Sequence, residues 1–494
     1  MEETCAKNAL HSPESAGVDS RGILGWLNAL EEAKLEMHGL VMLRHGKPIA
    51  KGRWYPYNLE TPHILHSLSK SFTSTAIGFA VSEGLLTVDD PVASFFPDKV
   101  PGELTPNAQA MKVKHLLMMG TGHKADFMDT AFACADGDWV RNFFEHPPEE
   151  TPGSLFVYNN MATYMCSAII TKLTGSSVHD YLMPRLFTPL GMGNPYWTAC
   201  PKGNSAGAFG LRLTTEQISC FGQFLLQKGM WEGRPLLPAA WIEEASGIRI
   251  KSAGSDDKAD EPANDWNSGY GYQFWKCLDG SYRADGAFGQ ICIVSEKHDV
   301  VLAFNSGMND VGKALGLVWA HIWPALSGAV LPENPDVLAV LRTRLDSLVI
   351  AVPEGDVSEE AVLHWQGILR KPVSFTMEEN ALQISRMELA VAGDVVTLEA
   401  VSPKGSFTVI GAFGRWEPGT ANLFIGIAEA PGDEAAGYVA ELPDGSLQLL
   451  LQQLCGPASM AMNLRMDGDR LVVRGKVNAT FEPPELPVLE GLKW

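Results

Sequence analysis

The chain has 494 residues, of which 46% are hydrophobic and 19% are charged, and its formal net charge is -20 at pH 7. A chain of this length exceeds one ordinary hydrophobic core, so two domains are expected. The composition is that of a globular protein. The strong negative charge argues against nucleic acid and anionic membrane surfaces as partners, because both would repel it.

The N-terminal residues and the cysteines bear on where the protein works. Residues 1–7 are acidic and lack the apolar stretch of a secretion signal, and no later run of about 18 apolar residues could span a bilayer. The eight cysteines are scattered without metal-ligand or disulfide-framework spacing, and Cys166 and Cys292 fall in apolar runs typical of a core. We therefore expect a cytoplasmic protein without a metal or cofactor.

The elements at the two ends of the first domain predict a sheet covered by helices. Asp19 precedes an amphipathic helical pattern, and residues 39–44 and 48–54 predict a hairpin around a His45-Gly46-Lys47 turn. In chain order, the predicted elements are a helix over 22–37, strands over 39–44, 48–54, 291–295 and 300–305, and a helix over 311–326. Between them, residues 64–240 are expected to form a helical insert.

Ser67 and Lys70, inside this insert, form a Ser-x-x-Lys motif. Residues three apart share a helix face, so the amine can draw the proton from the hydroxyl and make a nucleophile. The positions that follow, including Phe72, Ile77 and Phe79, predict a buried helix. Burial lowers the pKa of a lysine from about 10.4 toward neutrality. Ser67 is expected at the helix N-terminus, where free backbone N–H groups favour negative charge.

Two other serines match a catalytic pattern by spacing alone. Ser255 and Lys258 repeat the Ser-x-x-Lys spacing, but they lie in the polar run 251–267, which has no apolar periodicity and is interpreted as a surface loop. Residues 203–207 (Gly-Asn-Ser-Ala-Gly) match the Gly-x-Ser-x-Gly elbow of α/β-hydrolases. That elbow needs a strand before it and a helix after it, and neither flank has that character, so Ser205 is interpreted as a loop residue.

Tyr158 and Asn160 form a second candidate segment, just before the apolar run 161–173, which predicts another buried helix. In isolation they also fit a simple turn at a helix start. A tyrosine there can relay protons, and a nearby Lys70 ammonium would lower its pKa and make the phenolate accessible as a general base. The Asn160 amide could hold both Lys70 and a substrate carbonyl.

A third candidate segment, residues 282–290, leads into the predicted strand pair. Gly286 and Gly289 permit close approach of a ligand, and a backbone N–H near Ala287 could pair with that of Ser67 as an oxyanion hole. Aromatic residues around this segment either line a pocket or pack in the core; alternation favours the core, with Phe288 as the cleft candidate. They are Trp266, Tyr270, Tyr272, Phe274, Trp275 and Phe288.

The order Ser-x-x-Lys, Tyr-x-Asn and glycine-bearing strand resembles the serine β-lactamase and penicillin-binding protein superfamily. The resemblance is greatest to the class C-like branch, which includes carboxylesterases, D-aminopeptidases and amide hydrolases, and it covers roughly residues 10–330. It implies an α+β fold with an antiparallel sheet, flanking helices and a helical insert. It further implies that Ser67 is acylated and that Lys70 and Tyr158 share the general-base work. The residues it places at the substrate are Asn160, Ala284, Asp285, Gly286, Ala287 and Phe288.

The third motif departs from that family's pattern. The family commonly has Lys or His at the first position, where it can meet a substrate carboxylate. Here the position is Ala284, followed by Asp285. Alanine cannot anchor an anion and aspartate would repel one, although Asp285 has an alternative structural role such as pairing with Arg283. Substrates that are neutral or cationic at that end are therefore favoured.

Residues 332–494 are predicted to form a second, β-rich domain, beginning at the Pro332-to-Pro335 boundary, and residues 1–331 the hydrolase domain. After a helix over 336–348, alternating segments separated by turn signals predict a small β-sandwich or barrel of about 120 residues. The clearest of these segments are 382–385, 395–400, 423–427, 447–451 and 471–474. The family resemblance implies that such a domain packs near the cleft or mediates assembly, so a homo-oligomer is possible.

These observations predict a serine hydrolase that cleaves a small ester or amide through a Ser67 acyl-enzyme. Three alternatives stay open at this point. The same site could serve a β-lactamase or an acyltransferase, or the protein could be an acyl trap that deacylates too slowly to be an enzyme.

Overall fold

The computed structural model describes residues 9–252, 264–403, 405–420 and 433–494. The predicted loop with Ser255 and Lys258 and the predicted strand over 423–427 lie outside these ranges. Within them, no helix is both long enough and apolar enough to cross a membrane.

The first domain contains an antiparallel sheet flanked by helices, as the predicted α+β fold requires. Its strands are β1 (Met37–Arg44), β2 (Lys47–Arg53), β3 (His63–Ile64), β4 (Arg212–Leu213), β5 (Met230–Trp231), β6 (Arg234–Pro235), β7 (Trp275–Lys276), β8 (Tyr282–Gly286), β9 (Gln290–Ser295) and β10 (Val300–Ser306). Its helices are α1 (Ser20–Glu32), α2 (Ser69–Ser82), α3 (Pro106–Ala110), α4 (Val113–Leu117), α5 (Met128–Phe132), α6 (Trp139–Phe144), α7 (Asn160–Thr174), α8 (Val178–Leu182), α9 (Thr215–Leu226), α10 (Ala239–Ser246) and α11 (Val311–Leu317).

Six of the described strands form one antiparallel sheet in the order β2-β1-β10-β9-β8-β7. Successive side chains of a strand point to opposite faces. On β1, Val41 and Leu43 therefore join the core shared with the helical insert, whereas Leu40 and Met42 join the core beneath α1. Because both faces are covered, the strands consist of nearly continuous apolar residues.

The predicted helices at the ends of this domain are present with different limits. α1 starts where the Asp19 side chain accepts a hydrogen bond from the Arg21 N–H, and it ends at Glu32, before β1 begins. The predicted helix over 311–326 starts with α11 and continues as a π-helical turn over 318–322 and a 3-10 turn over 323–325. Both helices pack on the same face of the sheet.

The second domain is a closed β-barrel, one of the two predicted forms. It follows α12 (Pro335–Asp346), and its elements are α13 (Glu359–Ile368), β11 (Val373–Met377), β12 (Arg386–Ala392), β13 (Val395–Ser402), β14 (Gly405–Phe413), β15 (Glu417–Thr420), β16 (Glu434–Glu441), β17 (Leu447–Gln453), β18 (Ser459–Asp467), β19 (Arg470–Val477) and β20 (Leu489–Lys493). Of the described strands, nine close into a ring through the parallel pair β14–β16, and β15 pairs with β16 outside it. Buried Trp365 of α13 belongs to the barrel core.

The segment between the domains packs on the first of them. Leu341 and Leu345 of α12 belong to the core beneath α1, and the Ile350 N–H donates to the Tyr55 carbonyl. The predicted boundary between residues 331 and 332 stays a prediction. Because of these contacts, we propose that the structural division falls after Ile350.

Buried polar contacts join the two domains. Arg212 and Asp433 form an ion pair with an N–O distance of 2.6 Å, and both side chains are buried. The Tyr57 hydroxyl donates to Gln452 at 3.0 Å, and the Asn478 amide donates to Glu36 at 2.9 Å. Leaving any of these groups buried without its partner would be costly, so the contacts favour one fixed docking of the barrel.

Candidate active site

Ser67 lies at the start of a buried helical segment, where the sequence predicts it. A 3-10 turn over His66–Leu68 leads directly into α2, which is buried along nearly its whole length. Ser67 is partly exposed, whereas Lys70 is only 1% exposed. The hydroxyl is therefore accessible to a substrate, while the amine that faces it is shielded from water.

The Lys70 amine is surrounded by oxygen atoms. In the described structure, Lys70 Nζ lies 2.9 Å from Ser67 Oγ, 2.7 Å from Asn160 Oδ1 and 2.9 Å from the Ala208 carbonyl oxygen. It also lies 4.8 Å from the centre of the Tyr158 ring. The predicted pairing of Ser67 with Lys70 is thus present in a geometry suited to proton transfer.

The partners of Lys70 determine where the lone pair of a neutral amine points. Asn160 Nδ2 donates to the Asp126 carboxylate at 2.6 Å, so the amide oxygen must face Lys70. The Ala208 carbonyl also can only accept. Two N–H bonds of neutral Lys70 are therefore committed to these oxygens, and the lone pair remains for the Ser67 proton.

Burial adjusts the basicity of this amine. Desolvation lowers the pKa of Lys70 to about 7, and the negative charge of Asp126 opposes the shift. A substantial fraction of Lys70 is therefore neutral near pH 7. A neutral amine is the form that can accept the hydroxyl proton.

Tyr158 lies in the same site, but its ionisation differs from the sequence-based expectation. Its ring stacks on Trp275 at 5.6 Å, and Tyr270 meets it edge-on at 6.2 Å. Burial among these rings raises the pKa of Tyr158, and Asp285 and Asp126 raise it further, although a hydrogen bond with Ser67 lowers it. The expected phenolate is therefore disfavoured, and Tyr158 is a neutral phenol at ordinary pH.

Asn160 is held by a residue that the sequence interpretation missed. Asp126 accepts hydrogen bonds from the Asn160 backbone N–H at 3.0 Å and from its side-chain amide at 2.6 Å. Asn159, the N-cap of α7, accepts from the N–H groups of Met161 and Ala162. Asp126 lies in a loop before α5, and no motif or spacing in the sequence connects it to Asn160.

The third motif lies against the nucleophile segment. At Gly286, the end of β8, a Cβ atom would lie 2.1 Å from the Leu65 carbonyl oxygen and 3.1 Å from the Leu68 nitrogen. Only glycine therefore allows the strand to approach this closely. The end of β8 therefore lies directly against residues 65–68, the segment that contains Ser67.

Ala284 and Asp285 of β8 present no charged anchor. Ala284 is 1% exposed. The Asp285 carboxylate accepts from Arg283 Nε at 2.8 Å, and the Arg283 side chain is fully buried. Arg283 in turn lies 4.9 Å from the Trp266 ring. The structure therefore contains the ion pair with Arg283, which is the structural role considered for Asp285.

The family model described as Beta-lactamase matches residues 27–314. This chain belongs to the beta-lactamase family. Penicillin-binding protein 4 of Amycolatopsis lactamdurans is 26% identical over 261 residues, which cover 45% of this chain and 65% of that protein. Lovastatin esterase of Penicillium rubens is 23% identical over 169 residues, covering 30% of this chain and 42% of that protein.

A solved structure from Bacillus anthracis, provisionally named 6-aminohexanoate-dimer hydrolase, has a TM-score of 0.51 and 19% identity. The alignment covers 68% of this chain and 87% of that one. This likeness concerns the fold. The chain spans from under half to about two thirds of the length of the two curated relatives.

The aromatic residues near the third motif of this beta-lactamase-family chain are mostly core residues, as alternation predicts. Those buried in the core of the helical insert are Tyr270, Tyr272, Phe274 and Trp275. Phe288 is 7% exposed and packs against His66 and Phe481. Phe481 belongs to the barrel, so sequence analysis of the first domain could not identify it.

Ser205, the alternative candidate nucleophile, lies in a loop, as the residues on either side of the Gly-x-Ser-x-Gly pattern predicted. It is buried, and its hydroxyl accepts a hydrogen bond from the His179 N–H at 3.2 Å. The same loop contacts α2 through its backbone, because Thr73 Oγ1 donates to the Gly207 carbonyl and Lys70 to that of Ala208. This loop therefore helps to hold Lys70 rather than supplying a nucleophile.

Asp126→Asn is expected to lower kcat/KM about 10- to 100-fold, less than the roughly 100- to 10,000-fold contribution of a general base itself, because Lys70 is still present. The new amide would place a donor opposite Asn160 Nδ2, and Asn160 would rotate to turn its own Nδ2 toward Lys70. The Lys70 lone pair would then face Asn160 instead of Ser67.

Steady-state kinetics over pH 5–9 would measure this effect. Loss of the Asp126 charge should also shift the acid limb of the profile to lower pH, since that charge raises the pKa of Lys70. Asp129→Asn, at a neighbouring exposed position, is the matched control. Unchanged kinetics in Asp126→Asn would contradict the positioning role.

Proposed function

We propose that the protein is a serine hydrolase that cleaves small, uncharged esters or amides through a Ser67 acyl-enzyme. The observation that carries this proposal is the 2.9 Å contact between Lys70 Nζ and Ser67 Oγ, with Lys70 buried and its other contacts fixed. Such an arrangement supplies an activated nucleophile without a metal ion or cofactor.

In the acylation step, Ser67 Oγ forms a bond to the substrate carbonyl carbon and its proton passes to Lys70. Negative charge then develops on the carbonyl oxygen, near the Ser67 and Ala287 N–H groups. When the bond to the leaving group breaks, the neutral Tyr158 phenol gives the leaving group a proton and receives one from Lys70. The leaving group departs as an alcohol or amine.

Deacylation reverses these roles with water as the nucleophile. Lys70, neutral again, takes a proton from water as the oxygen attacks the acyl carbon. The bond between the acyl carbon and Ser67 Oγ then breaks, the protonated Lys70 gives its extra proton to Ser67 Oγ, and a carboxylic acid is released. If an alcohol or amine replaced water, the same steps would transfer the acyl group, so the acyltransferase alternative differs only in the acceptor.

The charges around the site support uncharged substrates. Ala284 provides no cation for a substrate carboxylate, and the only charge that the third motif contributes, Asp285, is paired with Arg283. The name of one relative, lovastatin esterase, supports an ester as the substrate class. A β-lactamase, which binds an anionic substrate, is the less favoured alternative.

The function is tested with three reagents on the full chain. We expect multiple turnovers of p-nitrophenyl butyrate, little or no turnover of nitrocefin, and one phosphonyl adduct from a fluorophosphonate probe by intact-protein mass spectrometry. Faster nitrocefin than ester turnover would favour the β-lactamase. A persistent acyl adduct without release would favour the acyl trap.

Tyr158→Phe should reduce kcat about 100-fold, a typical loss for a group that transfers protons. The ring packing on Trp275 would be kept, so folding should be little affected. Burst kinetics with an activated ester and with an alkyl ester would separate acylation from deacylation. The alkyl alcohol is the poorer leaving group, so its departure depends more on protonation by Tyr158. A loss below threefold with both esters would refute this role.

Three expectations from the sequence are not tested by the fold or by the site geometry. The small-molecule substrate, the homo-oligomer and the cytoplasmic location stay predictions.

A further inference from the structure

The second domain places an aromatic side chain beside the nucleophile segment. Phe481 lies in the connection between β19 and β20. Its ring centre is 4.7 Å from that of Phe288 and 6.4 Å from that of His66, the residue immediately before Ser67. His66 and Phe288 also contact each other at 5.5 Å. The three rings form one cluster, which we call the aromatic rim.

Phe481 is the outer member of this rim. It is 69% exposed, whereas His66 and Phe288 are 6% and 7% exposed. A single exposed apolar side chain needs no explanation by itself, and what distinguishes Phe481 from another exposed aromatic residue such as Trp494 is its contact with His66, the residue before Ser67. Ser67, next to His66, is itself partly exposed.

The backbone beneath the rim is held in a costly conformation. His66 has a φ of 46° and Phe288 a φ of 63°, which is the left-handed region that residues with a Cβ rarely adopt. Such strain persists only where the surrounding structure enforces it, and it concentrates at functional sites. Here the two strained residues, one in the turn before α2 and one in the connection between β8 and β9, both place their rings against Phe481.

The Phe481 connection is anchored to the first domain three residues earlier. The Asn478 amide donates to Glu36 Oε1 at 2.9 Å and to the Gly307 carbonyl at 3.0 Å. The Asn478 carbonyl accepts from Asn309 at 2.7 Å. The ring is therefore presented from a fixed position, which lowers the entropy cost of binding against it.

We propose that Phe481 is a specificity-determining residue, which selects substrates whose acyl or alcohol part is an uncharged aryl or branched alkyl group. This inference rests on the proposed function. The substrate's apolar group packs on the open face of Phe481 while its carbonyl meets Ser67. The barrel domain thereby completes the substrate site of the first domain.

The surrounding chemistry accounts for the preference for an uncharged group. Phe288 and Phe481 offer only apolar rings to a group placed on the rim. A charged group placed on this rim would lose its hydration without gaining a partner. An aryl group would instead gain edge-to-face or offset contacts.

The experiment compares Phe481→Ala with the wild type on two series of esters. One series varies the acyl group of p-nitrophenyl esters from acetyl to hexanoyl and phenylacetyl, and the other varies the alcohol of acetate esters from methyl to benzyl. We expect the wild type to prefer the larger members of one series, and Phe481→Ala to lose about tenfold of that preference in kcat/KM. Phe481→Leu should retain part of it.

Controls separate this effect from misfolding and from failure of the proposed function. Trp494→Ala removes another exposed aromatic residue of the barrel, 88% exposed, and should leave both series unchanged. The rates of labelling by ethyl and octyl fluorophosphonates give a second measure of selectivity, and thermal melts check folding. Equal size preference in Phe481→Ala and wild type, in both series and in labelling, would overturn this inference alone. A wild type that neither turns over esters nor is labelled would overturn the proposed function and this inference with it.

Discussion

Ser67→Ala should reduce ester and amide turnover about 10⁴-fold or more, because it removes the atom that forms the acyl-enzyme. Losses of this size follow when the nucleophile of a unit that acts together is removed. The substitution deletes one partly exposed hydroxyl and keeps the Lys70 contacts to Asn160 and Ala208, so the fold should be unaffected. The measurement is residual kcat with p-nitrophenyl butyrate, together with intact mass after fluorophosphonate treatment.

Ser205→Ala is the matched control, since Ser205 is the serine of the rival Gly-x-Ser-x-Gly pattern. Its hydroxyl accepts a hydrogen bond from the His179 N–H in a loop, so removing it should affect stability slightly and leave labelling intact. The proposed chemistry predicts an adduct in Ser205→Ala and none in Ser67→Ala. The reverse pattern would exclude Ser67 as the nucleophile.

Lys70→Met should lower kcat/KM about 10³-fold, within the usual range for loss of a general base. Methionine fills a similar volume but cannot accept a proton, and it leaves Asn160 Oδ1 and the Ala208 carbonyl without a donor. Lys70→Arg tests charge against basicity, because guanidinium keeps the charge and does not deprotonate. We expect Lys70→Arg to be nearly as inactive as Lys70→Met, as measured by single-turnover acylation rates.

The wild-type pH profile tests the same role. The proton acceptor is neutral Lys70, whose pKa is about 7, so kcat/KM should rise with pH through about 7 and then level off. At pH 5, two units below that value, about 1% of the amine is neutral, and activity should fall accordingly. This acid limb should disappear from the residual activity of Lys70→Met. A profile that is flat from pH 5 to 8 would contradict the assignment.

Much of the fold could be predicted from local sequence patterns. Short apolar runs beside turn residues, at 39–44 before the 45–47 turn and at 300–305 after the 297–299 turn, predicted β1 and β10, and the longer apolar run after Asn160 predicted α7. These predictions succeed because the length of an apolar run and its flanking turns are local signals. The limits were less accurate: the helix expected over 22–37 ends at Glu32, where the chain turns into the sheet.

Local sequence also predicted part of the candidate site, and the rest depends on contacts between distant segments. The Ser67–Lys70 contact is encoded locally, because residues three apart on a helix face each other, and burial of Lys70 follows from its apolar neighbours. The sequence order of motifs also indicated the family that the match over residues 27–314 establishes. The ionisation of Tyr158 was predicted in the wrong direction, since the Trp275 and Tyr270 rings that desolvate it come from distant segments.

The sequence by itself thus determined which hydroxyl and which amine meet. Ser67 in the 3-10 turn and Lys70 in the first turn of α2 are three residues apart in one continuous helical segment, so they meet in any fold that keeps that segment. Only the tertiary structure decided the direction of the Lys70 lone pair, through Asp126 and Ala208, and the placement of Phe481 beside His66. These contacts join residues separated by more than 30 to more than 400 positions. No periodic pattern spans such separations, because they are set by how the sheet, the helical insert and the barrel pack together.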